Sequence, residues 1–339
     1  MCLGAMAFGE DWGWGSSKEE ARRIVEVFAE AGGNFIDTAD KYTEGTSERY
    51  VGEAIATGRE RWVLATKYSL SRDESDPNGH GAHRKSLVAA LDASLERLAT
   101  DYVDVLWIHL WDPRTPVEEL MRALDDQVRA GKVLYLGISD APAWFIAQAN
   151  TLAAERGWTP FVAMQMQYSL LERSVEREHL PMARALDVAV TAWSPLGGGM
   201  LTGKYERGAQ PAAGGGRFGD ASEAGAYFLT ERNFEIVDAV VDVAGRIGAT
   251  PAQVALAWLR TRPGVVLPIV GARRVSQLQE NLGAFEVELD AEQRALLDDV
   301  SRIELGFPYD FIAQNRRMAF AGGDTEALLD DHRAARSGA

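Results

Sequence analysis

Short apolar segments alternate with amphipathic segments along most of the chain, and this alternation constrains the fold more than any other feature. In the intervening segments apolar residues recur every three or four positions, as they do in amphipathic helices. Strands that alternate with helices indicate βαβ units and a parallel sheet. The eight predicted strands span residues 1–8, 34–36, 62–66, 103–108, 133–138, 161–164, 188–192 and 265–268.

The helical segments between these strands have recognisable starts. Ser17, Thr115, Ser276 and Asp290 are predicted N-caps, and Ser17 is followed three residues later by Glu20, the pattern of a capping box. The predicted helices span residues 18–31, 47–56, 84–99, 116–131, 143–154, 175–186, 231–247, 251–261 and 276–282, with one further short helix after Asp290.

Eight strands with interleaved helices predict a (β/α)8 TIM barrel, formed as a single domain by residues 1–311. The alternative is an open doubly wound sheet, which the same alternation permits, but no GxGxxG turn follows an early strand. Two segments fall outside the pattern. Residues 205–226 are rich in Gly, Ala and Pro and are expected to form a lid, and residues 312–339 are expected to be a partly mobile C-terminal tail.

The composition excludes several classes of function. A net charge of −15 argues against a nucleic acid or an anionic membrane as the main partner. The single cysteine, Cys2, excludes an internal disulfide and a cysteine-based metal cage, and the five histidines include no HExxH pattern. We therefore expect a cytoplasmic protein with a small-molecule substrate and no metal.

Four residues with reactive side chains follow predicted strands. Asp37 and Tyr42 come after the second strand, Lys67 after the third and His109 after the fourth. Taken singly, each has an ordinary explanation, such as a helix cap, a surface lysine or a core histidine. In a parallel barrel, however, the C-terminal ends of the strands meet at one rim, where such residues converge.

At these strand ends the chain resembles the aldo-keto reductase family, and it is also similar to the potassium-channel beta subunits, which resemble that family. The resemblance implies a nicotinamide cofactor, NADP(H), held across the barrel mouth, and a catalytic tetrad of Asp37, Tyr42, Lys67 and His109. The matching segments are residues 34–42, 64–68, 107–112, 137–140, 165–173, 192–205 and 268–282.

The chemistry of carbonyl reduction gives each residue of this tetrad a role. The carbonyl oxygen needs a proton as it becomes negative, and an isolated phenol, with a pKa of about 10, is a poor donor near neutrality. An ammonium such as that of Lys67 favours the phenolate form of Tyr42, and Asp37 would keep Lys67 charged. His109 could then donate a hydrogen bond to the carbonyl oxygen and orient it.

The resemblance also implies where the cofactor binds. Ser139, Asp140 and Gln165 would contact the nicotinamide carboxamide, although relatives often have Asn at Asp140, and a carboxylate cannot donate to the carboxamide oxygen. Trp193 would stack on the ring. The remaining residues expected to contact the cofactor are Gly4, Ala5, Met6, Asp37, Ser194, Pro195, Leu196, Gly199, Leu201, Lys204, Gly271, Arg273, Arg274, Gln277, Glu280 and Asn281.

Aromatic residues on the rim loops and tail suggest a substrate pocket. Trp12, Trp14, Trp111 and Phe307 could wall an apolar site for a carbonyl compound or could cover the barrel edge, as could Tyr309 and Phe311. The family usually carries an N-terminal hairpin that closes the barrel bottom, whereas this sequence begins at the first strand. We therefore expect the hairpin either to be absent or to precede the stated start.

The predicted function is the NADP(H)-dependent reduction of aldehydes and ketones to alcohols, with Tyr42 as the general acid. Two alternatives remain at this point. A cofactor-sensing regulatory subunit would bind the cofactor with little turnover. A sugar-phosphate lyase would use Lys67 as a Schiff base and would leave Tyr42, Asp37 and His109 without a role.

Overall fold

Eight parallel strands form a closed barrel in a computed structural model that describes residues 1–71, 73–207 and 227–315. Each strand pairs with its neighbours in the sequence, and the first strand pairs with the last. The (β/α)8 prediction is therefore confirmed. The strands are β1 Cys2–Gly4, β2 Phe35–Asp37, β3 Val63–Tyr68, β4 Val103–Ile108, β5 Val133–Ser139, β6 Phe161–Gln167, β7 Ala189–Trp193 and β8 Val266–Gly271.

Helices surround the barrel and follow the order predicted from the sequence. They are α1 Lys18–Glu30, α2 Thr46–Ile55, α3 Arg84–Leu98, α4 Val117–Arg129, α5 Ala143–Arg156, α6 His179–Leu186, α7 Glu231–Ile247, α8 Pro251–Arg260, α9 Val275–Leu282, α10 Ala291–Val300 and α11 Tyr309–Gln314. The predicted segment 175–186 is divided between a short 3-10 turn, Ser174–Glu176, and α6. Among the described residues, no helix is long and apolar enough to cross a membrane.

Several strand boundaries differ from the predicted ones. β1 ends at Gly4, four residues earlier than expected, and the chain then turns into the loop before α1. β3 and β6 continue past their predicted ends, so Lys67 and Gln165 lie inside strands instead of following them. Both side chains are consequently held by the hydrogen-bonded barrel and not by a loop.

Two of the four predicted N-caps are correct. The hydroxyl of Ser17 accepts a hydrogen bond from the backbone N–H of Glu20 at 3.3 Å. Asp290 forms a complete capping box with Gln293 at the start of α10. In each case the acceptor and the N–H lie within one turn of the same helix, which is why the sequence alone indicates the cap.

The predicted caps at Thr115 and Ser276 are wrong. Pro116 is the N-cap of α4, and the hydroxyl of Thr115 instead donates to Asp112 at 2.6 Å. Ser276 lies within α9, whose N-cap residue is Arg274 and makes no side-chain capping bond. At Thr115 the hydroxyl is taken by a residue three positions earlier, whereas at α9 a distant residue accepts from the first backbone N–H.

The barrel interior is filled below the rim by a small apolar cluster around Trp107. This side chain is fully buried and packs with Ala65, Val105 and Ala163. Gly137 makes room for it, because a Cβ atom there would lie 2.2 Å from the Trp107 ring. Trp107 pairs with Lys67 across neighbouring strands, so the two side chains lie side by side on the same face of the sheet.

Two predictions fall largely outside the described residues. The expected lid at 205–226 overlaps them only at 205–207, and most of the expected tail lies beyond residue 315. The predicted division between barrel and tail after residue 311 falls within α11.

Candidate active site

Three of the predicted residues meet at the C-terminal rim of β2 and β3. The ammonium of Lys67 forms an ion pair with Asp37, the last residue of β2. It also donates to the backbone carbonyl of Thr38 at 3.0 Å and to the hydroxyl of Tyr42 at 3.1 Å. The Thr38 carbonyl was not predicted, since a backbone acceptor leaves no signal in the sequence. All three protons of the ammonium are therefore directed at named acceptors.

The ion pair is almost completely removed from solvent. Lys67 is 1% exposed and Asp37 is 2% exposed. Burial opposes the charge of the lysine, but the adjacent Asp37 and the Tyr42 hydroxyl raise the pKa of Lys67 above its ordinary value. Lys67 is therefore a permanent cation beside the phenol at any pH near neutrality.

His109 follows β4 directly and packs its ring edge-on against Tyr42. The two ring centroids are 5.6 Å apart and the planes are inclined at 87°. Burial, and then the positive charge of Lys67, lower the pKa of His109 to about 3. Its Nδ1 is buried without a hydrogen-bond partner in the part of the chain that the structure describes. The imidazole is thus neutral near neutral pH.

The turn that carries the phenol, Tyr42–Gly45, has an unusual backbone. Thr43 and Glu44 adopt left-handed conformations with φ of 45° and 51°, which L-residues disfavour. The hydroxyl of Thr43 donates to the carbonyl of Phe8 at 2.6 Å and accepts from the N–H of Ser47 at 3.0 Å. These bonds fix the strained turn between the β1 loop and α2, and nothing in the sequence indicated them.

Of the three residues expected to bind a carboxamide, Ser139 and Gln165 lie on neighbouring strands and Asp140 directly follows β5; Gln165 and Asp140 already have partners. Ser139 ends β5 and is buried. Gln165 donates from Nε2 to the second oxygen of Asp37 at 3.0 Å. Asp140 accepts from the indole N–H of Trp193 at 3.0 Å, and burial raises the pKa of Asp140 above its ordinary value. Asp140 therefore holds the ring that was expected to stack on the cofactor.

A glycine-rich turn follows β7. Gly197, Gly198 and Gly199 all have positive φ, of 55°, 63° and 96°, so side chains here would strain the backbone. A Cβ atom at Gly199 would also lie 3.0 Å from the ammonium of Lys204. The turn thus presents bare backbone beside a cation, which fits a phosphate group. Pro195 and Leu201 of the predicted set are buried under this turn, and Ser194 and Leu196 are half-buried.

The segment between β8 and α9 carries the predicted arginine pair. Arg273 and Arg274 are both exposed and precede the first residue of α9, Val275. The backbone N–H of Arg273 donates to the side chain of Gln277 at 2.8 Å. Burial and the nearby charge of Arg273 lower the pKa of Lys204. Cations that crowd one another in this way suit a bound anion.

The other residues expected to contact the cofactor lie on β1, β8 and α9 or continue from β1. Gly271 ends β8 next to Gly4 on β1, with which it pairs, and Ala5 and Met6 continue from β1. In α9, Asn281 is buried and Glu280 is exposed.

The predicted aromatic residues form separate groups. Trp12 stacks obliquely on Trp14 at 5.7 Å, and the Trp12 indole donates to Glu44, beside the phenol. Trp111 packs against Trp144 and Phe145, two aromatic neighbours that were not predicted. Phe307 is 86% exposed, and its ring contact is with Phe311, 6.1 Å away. Tyr309, which was also expected to wall the site or cover the barrel edge, is the first residue of α11.

Comparison with known proteins gives consistent matches over nearly the whole chain. The Aldo/keto reductase family model matches residues 1–302, which contain all eight strands. A norsolorinic acid reductase of Emericella nidulans is 38% identical over 330 residues, covering 94% of this chain and 82% of that protein. An aryl-alcohol dehydrogenase (NADP(+)) of Phanerodontia chrysosporium is 36% identical, with coverage of 91% and 83%. A putative aryl-alcohol dehydrogenase of Saccharomyces cerevisiae is 34% identical, with coverage of 93% and 86%.

Proposed function

Because the chain belongs to the aldo/keto reductase family and is an oxidoreductase of carbonyl groups, we propose that it reduces aldehydes with NADPH and uses Tyr42 as the acid. One observation carries the proposal: the Tyr42 hydroxyl lies 3.1 Å from an ammonium that is ion-paired with Asp37 and shielded from water. A nicotinamide cofactor supplies the hydride when it is bound.

The remaining steps fall to a rim quartet, in which Asp37 and Lys67 are buried and Tyr42 and His109 are half-buried. Tyr42 gives its proton to the carbonyl oxygen of the substrate, which becomes the alcohol hydroxyl. The phenolate left behind is stabilised by the charge of Lys67, whose attraction is strong because burial removes competing water. The phenolate then recovers a proton from solvent. Positioned acid catalysis of this kind contributes roughly 10²–10⁴-fold to a rate.

His109 acts in this scheme as a neutral donor. With a pKa of about 3, its ring carries no charge that would compete with Lys67. A neutral imidazole has one N–H, and its edge-on position against Tyr42 allows that N–H to reach the same carbonyl oxygen. His109 therefore orients the substrate and does not supply the proton.

The donor set along the rim supports NADP(H) as the cofactor. Ser139 and Gln165 would hold the carboxamide, with Trp193 against the ring. The glycine turn and Lys204 suit the pyrophosphate, and Arg273 and Arg274 suit the 2′-phosphate that distinguishes NADPH from NADH. The name of the Phanerodontia chrysosporium relative specifies NADP(+).

We propose aromatic aldehydes as the substrate class. Two of the relatives are named aryl-alcohol dehydrogenases, and an aryl-alcohol dehydrogenase run in reverse reduces an aryl aldehyde. The Trp12 indole donates to Glu44, in the turn that carries Tyr42, and Trp14 packs against Trp12. The two rings offer apolar surface near the proposed acid Tyr42.

The test is steady-state oxidation of NADPH by purified protein with nitrobenzaldehyde and other aryl aldehydes. Steady turnover is expected in the wild type and should be nearly lost in Tyr42→Phe. Tyr50→Phe is the matched control, since it removes a phenol from a half-buried tyrosine on α2. Cofactor binding without turnover would favour a regulatory subunit, and borohydride trapping of a sugar phosphate on Lys67 would favour a lyase.

A further inference from the structure

Glu20 of α1 contacts the start of α9 instead of completing its own capping box. Its side chain accepts from the backbone N–H of Val275, the first residue of α9, at 2.7 Å. The two residues are 255 positions apart in the sequence. The carboxylate thus occupies the positive end of α9, at the point where the arginine pair enters the helix.

A second contact fixes the same region. The hydroxyl of Ser16, just before α1, donates to the carbonyl of Arg273 at 3.1 Å. The N–H of Arg273 is engaged by Gln277. Two backbone donors at the entrance to α9 are therefore occupied by acceptors from this chain, and one of those acceptors is charged.

The arginine charges are not neutralised by this arrangement. Among the ion pairs of the described residues, none involves Glu20, Arg273 or Arg274. Both arginines are exposed, so they can reach an incoming anion. The Glu20 carboxylate lies at the backbone N–H of the residue that follows the arginine pair, and it adds a negative charge to any site that the arginines form.

We propose that Glu20 is a specificity-determining residue that weakens the binding of NADPH relative to NADH. The inference rests on the proposed function, because it requires the adenosine end of the cofactor to lie at α9. A 2′-phosphate carries −1.5 to −2 charges near neutrality. It is attracted by the arginines and repelled by Glu20, whereas the 2′-hydroxyl of NADH feels neither effect strongly.

The test compares the dissociation constants of NADPH and NADH in wild type, Glu20→Gln and Glu19→Gln. Glutamine retains an oxygen that can accept from Val275, so the cap survives while the charge is lost. Glu19 is exposed in the same first turn of α1, and its replacement controls for a general change in net charge. We expect Glu20→Gln to tighten NADPH by about threefold to tenfold at low salt, with NADH unchanged.

Added salt should reduce this gain, because screening weakens the repulsion that the substitution removes. The inference is overturned if Glu20→Gln changes the NADPH to NADH ratio no more than Glu19→Gln does. The same titration is carried out on Arg273→Ala, and it shows whether the proposed cofactor site fails together with the role of Glu20. If the arginine variant alters the ratio and Glu20→Gln does not, only the role of Glu20 is lost.

Discussion

The rim quartet, with its buried ion pair, and the basic edge formed by Lys204, Arg273 and Arg274 are two sets of charges on one rim, built in opposite ways. In the quartet the cation is 1% exposed and bonded to a carboxylate, a carbonyl and a phenol. On the basic edge all three cations are exposed. The first set is complete before any ligand arrives, and the second keeps its charges for a ligand.

This difference follows from what each region has to do. Stabilising a phenolate requires a cation in a dry, fixed environment, where the interaction is strong and no reorganisation is needed. Holding a phosphate requires cations that remain charged and accessible. Burial would cost several kcal/mol per unpaired ion, so these cations stay hydrated until the anion binds.

Removing the buried cation should have the largest effect of any single change. In Lys67→Met we expect turnover to fall by about 10²–10⁴-fold, since the phenolate loses its partner. The variant should also lose about 3–5 kcal/mol of unfolding free energy, because Asp37 is left buried and unpaired. Steady-state kinetics and denaturant unfolding measure the two quantities.

The double variant Asp37→Asn with Lys67→Met separates these effects. It replaces both members of the ion pair, so much of the lost stability should return. Activity should not return, because no cation stands beside Tyr42. A double variant that regained turnover would contradict the role assigned to Lys67.

On the basic edge, the loss of one arginine should affect cofactor choice and little else. Arg273→Ala removes a charge-assisted hydrogen bond worth about 1.5–3 kcal/mol, so NADPH should bind roughly tenfold or more weakly. NADH should bind as before. Calorimetric titration checks this, with Arg156→Ala, a change at an exposed arginine on α5, as the control. Equal losses for both cofactors would place the phosphate elsewhere.

His109 should make stability depend on pH in a window set by its pKa. The folded protein holds this residue neutral down to about pH 3, whereas an unfolded histidine takes up a proton near pH 6.5. The unfolded state binds more protons between these values, so stability should fall as the pH falls. The contribution is about 2 kcal/mol between pH 7 and 5. The His109→Gln variant should lack this pH-dependent loss of stability. If the unfolding free energy of the variant changes with pH in parallel with that of the wild type, the assignment to His109 is refuted.

A smaller effect is expected at Asp140. Asp140→Asn keeps an oxygen for the Trp193 indole, removes a half-buried charge and adds a donor for a carboxamide. Both cofactors share the nicotinamide end, so NADPH and NADH should tighten by the same factor, about threefold. An unequal change would mean that Asp140 acts on the adenosine end as well. Asp140→Ala, which leaves the indole unpaired, should weaken both.

The sequence was sufficient to predict the barrel and the convergence of Asp37, Lys67 and His109. Both depend on one rule, that the C-terminal ends of parallel strands share a rim, and on periodic patterns within short segments. Local caps such as Ser17 and Asp290 were predictable for the same reason, since the donor and acceptor are three residues apart.

Contacts between distant segments left no comparable signal. Gln165 bonds to Asp37 across 128 positions, and Glu20 replaces Ser276 as the residue that satisfies the start of α9. The left-handed backbone at Thr43 and Glu44 is held by tertiary bonds against local preference. Each of these features adjusts the site, and each depends on which elements the fold places side by side.

The most direct test of the division between the two regions is the single-turnover oxidation of saturating NADPH by an aryl aldehyde. We predict that Tyr42→Phe lowers this rate by about 10²–10⁴-fold, because the acid is lost while the cofactor still binds. Arg273→Ala should react at the wild-type rate once NADPH is saturating. A wild-type rate in Tyr42→Phe would contradict the account, because the proton would then come from another group.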